Sequence, residues 1–424
     1  MVGLKFNIFV FWGIHVTITQ RHQVVSYYLS FFSFGLIIST LGIALPYLAD
    51  HAGVSLGDAA LMFTMNSLGF LFGSLITGYL YDVVRGKYLL SFAWILAAGS
   101  TYFLPILSSL TLMCAVNVVF GFANSTIVVG CNTLITRVDK EHTTSLLSAM
   151  HVVNGVGAFL TPILFTLVIT KTNDVVSAYH IYSFFFLFLA IFVLFTPIHI
   201  KKEKKREKKE HVPIKNNNVL LIILLALIAF VYVGSEISFS GWIYTFMKVQ
   251  FPTFEGNAGY VMAAFWVFMT LGRIFFTYLT KYCRVRVLMI YTLLGAIIGL
   301  SFIAIFDSNF VMVWIGTMLS GFFLGSVFPF IVSFGDNSIG MSGKVSGVVF
   351  GGTSFGGMLM PYMNGQLFER VSPASTMFSI MISITITLLI FIILYKKAPA
   401  NEKEVTSIIG KTVYEPPLVT KVDN

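Results

Sequence analysis

Apolar residues in this chain run together in stretches of membrane length. They lie near 24–48, 58–81, 88–108, 110–135, 143–170 and 175–199, then near 219–247, 257–280, 285–306, 309–334, 345–368 and 374–395. A helix needs about 20 residues to cross a bilayer. The hydrocarbon core offers no water to unpaired backbone groups, so each run predicts a transmembrane helix. Between the sixth and seventh runs lies Lys201 to Lys215, KKEKKREKKEHVPIK, the one long and densely charged stretch, close to the middle of the chain.

The two apolar halves match each other when the sequence is slid by 199 positions. Gly35 then falls on Gly234, Gly42 on Gly241, Gly73 on Gly272, Tyr79 on Tyr278 and Leu80 on Leu279. The register continues with Arg85 on Arg284, Lys87 on Arg286, Leu89 on Leu288, Gly157 on Gly356 and Pro162 on Pro361. Matches of leucine are cheap in so apolar a chain, whereas matches of glycine, proline and basic loop residues are not. A parallel repeat of two six-helix bundles is a known plan for secondary transporters. The expected fold is an all-α membrane protein of 12 transmembrane helices arranged as two pseudo-symmetric six-helix bundles. The expected divisions are an N-terminal segment 1–23, a first bundle 24–199, a basic linker 200–218, a second bundle 219–397 and a disordered tail 398–424.

Composition narrows the class. The 424 residues are 57% hydrophobic and 11% charged, with a mean hydropathy of +0.86, which places the chain among integral membrane proteins. The net charge of +9 sits between apolar spans rather than on a soluble face, so nucleic acid is not an expected partner. Cys114, Cys131 and Cys283 are too few for a disulfide framework. The apolar stretch Phe6 to Ile18 is too short to span and predicts an interfacial segment, with a cleaved signal or an internal start as alternatives.

Charge also orients the spans. With a cytoplasmic N-terminus, 23 of the 27 lysines and arginines fall inside, only Lys171, Lys248 and Arg370 fall outside, and Arg273 stays within a span. The positive-inside rule therefore expects both termini in the cytoplasm, and the plasma membrane is the expected location.

Polar side chains within spans are costly and face the bundle interior, so they are the candidate chemistry. Asn117, Asn124 and Asn132 share one face of the fourth span, and asparagine offers both donors and an acceptor to a neutral hydroxylated ligand. Hydrogen bonding between helices is the competing explanation. His151 and Asn154 share a face of the fifth span before GVGAFLTP, where Pro162 frees backbone groups that a neighbour must satisfy. His151 either binds or titrates, or it is a satisfied structural histidine. The seventh span reads YVGSEISFSGWIYTF from Tyr232. Glu236 lies deep inside it with Ser240 one turn on; it is the best candidate for coupling, against a structural ion pair with Arg273. Trp242 offers a face to a sugar ring, although an interfacial belt position is favoured for it. The charged turns Asp82, Arg85, Lys87 and Lys281, Arg284, Arg286 suit gating or topology, and Arg273 is grouped with them. No nucleotide loop, metal cluster or hydrolytic triad is visible, so neither an enzyme nor a cofactor is expected.

These residues also carry a resemblance. The 12-span plan with its basic central loop resembles the major facilitator superfamily. STLGIALPYLADHAGVSLGDAALMF from Ser39, GSLITGYLYDVVRGKYLL from Gly73, HVVNGVGAFLTP from His151, AGYVMAAFWVFMTLGRI from Ala258 and GGTSFGGMLMPYMNGQLFE from Gly351 resemble the sodium-dependent glucose transporter group, also called major facilitator domain-containing protein four, which is similar to fucose permeases. The resemblance implies alternating-access transport of a monosaccharide, with Glu236, Ser240 and Trp242 near the cavity and sodium or a proton as coupling ion. The chain departs from the fucose permeases in lacking a carboxylate from Val24 to Leu48 and in the fourth span, and in carrying Asn66 where a basic residue is expected. Uniport therefore stands beside symport. The expected function is a monomeric carrier of a sugar in the bilayer; the alternatives are a carrier of another small polar solute and a non-transporting receptor or scaffold.

Overall fold

Helices account for each expected span in the structure, a computed structural model that describes residues 18–138, 142–197 and 219–397. The expectations for the first 17 residues, for the basic linker 200–218 and for the tail from 398 lie outside the described residues. Eleven helices among the described residues are long and apolar enough to cross a membrane. They are Arg21–Ala52, Leu56–Val83, Gly86–Ile106, Leu110–Ile135, Ser145–Thr172, Val175–Phe195, Val219–Gln250, Ala258–Leu279, Val285–Ile305, Phe310–Ser338 and Pro373–Lys397. The remaining one, eleventh in chain order, is Gly343–Arg370, whose glycines and polar residues dilute its apolar character.

Short turns stop the helices by ordinary capping. Gly53, at φ +63°, ends the first span in the left-handed region that glycine enters without strain. Asp174 caps the sixth span by accepting from the Val176 and Ser177 amides, and Asn309 caps the tenth through Val311 and Met312.

The internal repeat has a structural counterpart. Gly35 of the first span and Gly157 of the fifth lie against each other's backbone, so that a Cβ on Gly157 would strike the Phe32 carbonyl and one on Gly35 the Asn154 carbonyl. Shifted by 199, Gly234 of the seventh span and Gly356 of the eleventh do the same, with the Phe230 carbonyl against Gly356. Lipid tails supply no hydrophobic drive between helices, so this close approach through small residues helps to join each pair.

Contacts between the halves follow two seams and one crossing. The fifth span runs antiparallel to the eighth, with Gly155 against Thr270 and Gly259 against Pro162 and Thr166. The second runs antiparallel to the eleventh, with Gly57 against Gln366, Gly365 against Ala60 and Gly357 against Ser67, and Thr64 donates to the Met358 carbonyl at 2.6 Å. The outer part of the first span crosses the seventh where Gly42 meets Ser240 and Gly241. All of these lie from the middle of the bundle toward the end opposite the chain termini. On the terminus-bearing side of the Gly155–Thr270 level, His151, Ser148 and Thr277 are exposed. The halves are closed at one end and parted at the other.

Candidate functional site

The site is organised by a proline. Pro329 has no amide hydrogen to return to the carbonyl four residues earlier, so the Gly325 oxygen is left without its helical partner. The tenth span breaks there, into Phe310–Leu324 and Val327–Ser338. Two neighbours take up the carbonyls of the break. Arg273 of the eighth span donates from Nε to Gly325 at 3.0 Å, and the Tyr232 hydroxyl of the seventh donates to Leu324 at 2.6 Å. Ser326, the next residue, donates to the Gly272 carbonyl at 3.3 Å.

Glu236 stands one turn beyond Tyr232. It is half-buried, beside the Tyr232 hydroxyl and within electrostatic reach of Arg273. Arg137 closes on Asp82 at 2.9 Å, whereas Arg273 acts on Glu236 electrostatically, without an ion-pair contact. The structural ion pair weighed for them is therefore an electrostatic neighbourhood rather than a contact.

Across the seam His151 is exposed, its ring edge-on to Phe31 at 5.1 Å and within electrostatic reach of Arg273. Asn154, one turn on, is buried and donates its amide to the Phe31 carbonyl at 3.0 Å. That bond ties the first span to the fifth, which is the structural role for a polar residue on this face. The carbonyl freed by Pro162 belongs to Ala158, and Ser39 of the first span donates to it at 3.0 Å. The helix neighbour expected for Pro162 is thus the first span, through a serine that sequence reasoning passed over.

The asparagines of the fourth span are not brought to Glu236. That helix packs mainly on the second, third and first spans of its own half. Asn117 and Asn132 donate to the carbonyls of their own helix, Met113 at 2.9 Å and Val128 at 2.8 Å. The Oδ1 atoms of Asn117 and Asn124 are buried without a protein partner, so both keep an acceptor in reserve.

Ser240 is buried and donates to Ile237 of its own helix at 3.2 Å. Trp242 corrects the belt reading: it is 0% exposed, its Nε1 donates to the Pro361 carbonyl at 3.0 Å, and its ring stacks on Phe368 at 4.9 Å. It fills the closed end and is neither an interfacial residue nor a cavity wall in this conformation.

The charged turns divide by role. Asp82 pairs with Arg137 at 2.9 Å, and Arg137 also donates to the Tyr81 carbonyl at 3.1 Å, so this lock joins the second and fourth spans within one half. Arg85 is exposed and Lys87 lies over Tyr88 at 5.2 Å. Lys281 lies over Tyr278 at 5.3 Å and Arg284 is exposed. Arg286 departs from the loop-anchor expectation: it is buried, with its guanidinium 5.2 Å from the Phe334 ring and 5.7 Å from that of Tyr395. At the closed end Lys248 lies 4.2 Å over the Tyr47 ring, joining the seventh span to the first.

Sequence reasoning missed Tyr232, Ser39 and the break at Gly325. Each had a signal: Tyr232 is four residues before Glu236, and a proline four residues after a carbonyl announces that the carbonyl needs another donor. Among the described residues no three His, Cys, Asp or Glu side chains converge as a metal cage requires.

A family model described as Major Facilitator Superfamily matches residues 27–361 and, in a second and overlapping match, 252–419. The chain is 23% identical over 406 residues to sodium-dependent glucose transporter 1A of Mus musculus, covering 88% of this chain and 96% of that protein. It is 24% identical over 404 residues to sodium-dependent glucose transporter 1 of Homo sapiens, covering 87% and 78%. Among solved structures, the nucleoside transporter NupG superposes with a TM-score of 0.68 at 14% identity, over 90% of this chain and 99% of that one. A bacterial homologue of the human lysosomal transporter Spinster superposes at 0.70 with 12% identity, over 91% and 100%. Both likenesses concern the fold.

Proposed function

The chain belongs to the Major Facilitator Superfamily and is a multi-pass membrane transporter, and on that premise we propose that it carries a monosaccharide such as glucose by alternating access. The observation that carries this reading is the group at the break of the tenth span. Glu236, Tyr232 and Arg273 bring an acceptor, a hydroxyl and a fixed donor to mid-membrane, and His151 adds a fourth polar group from the other half. A sugar presents only hydroxyls, which such a mixed set satisfies from both sides, and burial in a low dielectric strengthens each bond. The glucose transporters among its relatives point to the same solute class.

Alternating access fits a bundle closed at one end and parted at the other. With both termini cytoplasmic, in the plasma membrane, this is the inward-open state. Transport then requires the terminus-bearing ends to meet and the Tyr47–Lys248 and Thr64–Met358 contacts to part. A single chain suffices, since both bundles and the seam between them belong to it. Asn117 and Asn124 stay in the proposal as reserve acceptors for the opposite state, and Asp82, Arg85, Lys87, Lys281, Arg284 and Arg286 stay as ends that move.

The second reading is a carrier of another small polar solute. The burial of Trp242 favours it, because the aromatic face that a sugar ring would stack on is occupied by Phe368. Counterflow of labelled glucose, other hexoses and nucleosides into proteoliposomes holding only this protein decides between them. Glucose exchange supports the first reading; exchange of another solute alone replaces it.

A further inference from the structure

We infer that the Ser67 hydroxyl and the Gly357 carbonyl form a second polar contact for the solute, on the seam between the second and eleventh spans. One solute hydroxyl there donates to the carbonyl and accepts from the serine. This rests on the transport reading above and adds Ser67 to the same cavity as a residue that sets specificity.

The repeat supplies the first observation. Pro361 has no amide hydrogen, so the Gly357 carbonyl of the eleventh span lacks its helical donor, just as Pro162 frees the Ala158 carbonyl of the fifth. In the first half Ser39 answers that carbonyl at 3.0 Å. Shifted by 199 residues, Ser39 becomes Ser238 and Ala158 becomes Gly357, yet the Ser238 hydroxyl is buried without a partner. The second half keeps open a carbonyl that the first half closes. At membrane depth such an opening is tolerated where the carbonyl finds another partner or lines a cavity.

The second observation is what faces Gly357. A Cβ built there would meet Ile237 at 2.9 Å and the Ser67 hydroxyl at 3.0 Å. Ile237 follows Glu236 in the seventh span, so this contact stands close to the depth of the polar group already described. Ser74, further along the second span, donates to its own Leu71 carbonyl at 2.8 Å, whereas the half-buried Ser67 hydroxyl bonds to no described residue. A donor and an acceptor thus stand side by side without a bond between them, and a hydroxyl of the solute can serve both at once.

The third is their place along the seam. From the closed end its contacts run Gly57 to Gln366, Ala60 to Gly365, Thr64 to Met358 and then Ser67 to Gly357. Further toward the terminus-bearing end of the eleventh span, Gly351 has open space where a Cβ would go. Ser67 and Gly357 therefore stand where the closed seam gives way to the parted side, which is where an entering solute comes to rest.

The test uses the full chain in proteoliposomes and in detergent. Glucose counterflow is measured with competing glucose analogues that each lack one hydroxyl. In the wild type one analogue is expected to compete at least about tenfold less well than glucose, because it leaves the pair unanswered. Ser67→Ala is expected to raise the half-saturating glucose concentration about three- to tenfold with maximal exchange kept, and to narrow the gap for that analogue alone. Ser238→Ala is expected to change neither. In a Cys283→Ser background, which removes the exposed cysteine, Ser67→Cys is expected to react with a membrane-impermeant thiol reagent from the terminus-bearing side and to be protected by glucose. A Ser67→Ala protein that folds and keeps the wild-type half-saturation overturns the inference, as does an equal loss against every analogue. A raised half-saturation in Ser238→Ala overturns it too, since Ser238 would then be what answers Gly357 during the cycle. Absence of glucose exchange by folded wild type removes the sugar reading, and the labelling still decides the site: a folded Ser67→Cys protein that does not react shows that the pair does not face the cavity.

Discussion

Arg273 and Gly325 are joined at 3.0 Å because Pro329 deprives the Gly325 carbonyl of its helical donor. A charged side chain is thereby used as a backbone partner in the middle of a membrane helix. Hydrogen bonds from charged donors contribute about 1.5–3 kcal/mol.

The first prediction follows from that bond. Pro329→Ala returns an amide to the tenth span, which then competes with Arg273 for Gly325. Transport is expected to fall while the unfolding temperature in detergent holds or rises. A parallel fall in both would mean that the break serves packing alone.

The second concerns the repeat. Gly157→Ala and Gly356→Ala place a methyl against the Phe32 and Phe230 carbonyls, and each is expected to destabilise by about 1–3 kcal/mol. Gly99 has open space where a Cβ would go, so Gly99→Ala is expected to be neutral or stabilising by up to about 1 kcal/mol. Thermal unfolding of the three variants checks the contrast.

The closed end supplies the third. Tyr47→Leu removes the ring under Lys248, an interaction of about 0.5–2 kcal/mol, and shifts the equilibrium toward opening at that end. In a Ser240→Cys background the added substitution is expected to speed labelling by a membrane-impermeant maleimide from that side. Unchanged labelling would show that the Gly42–Ser240 packing alone holds this end.

The fourth is a pH dependence outside the membrane. Desolvation raises the Asp174 carboxyl, but the Ser177 hydroxyl and the Val176 and Ser177 amides outweigh it and hold the group below its ordinary value. Its cap is therefore complete above the unfolded-state value and is lost as pH falls through the lower folded one. Hydrogen exchange at the start of the sixth span is expected to quicken at that acid end in the wild type. In Asp174→Ser, which caps without a carboxylate, it is expected to stay level.

The sequence by itself determined the number of spans and the fold class, because apolar length and the absence of water in a bilayer leave helices as the solution. It also showed the repeat, since Gly35 and Gly157 are needed where backbones touch and recur 199 residues later as Gly234 and Gly356. Glu236 stood out for the same reason: a carboxylate in hydrocarbon demands an explanation.

Only the tertiary structure decided who meets whom. Asn117, Asn124 and Asn132 share a face by helical period, yet that face turns into their own bundle, because period fixes a direction around one helix and says nothing of its neighbour. Asn154 went to the Phe31 carbonyl, Trp242 into the closed end and Arg286 between Phe334 and Tyr395, each through packing between helices distant in sequence. Arg273 reached Gly325 across 52 residues for the same reason: a local rule frees a carbonyl, and the fold chooses the donor.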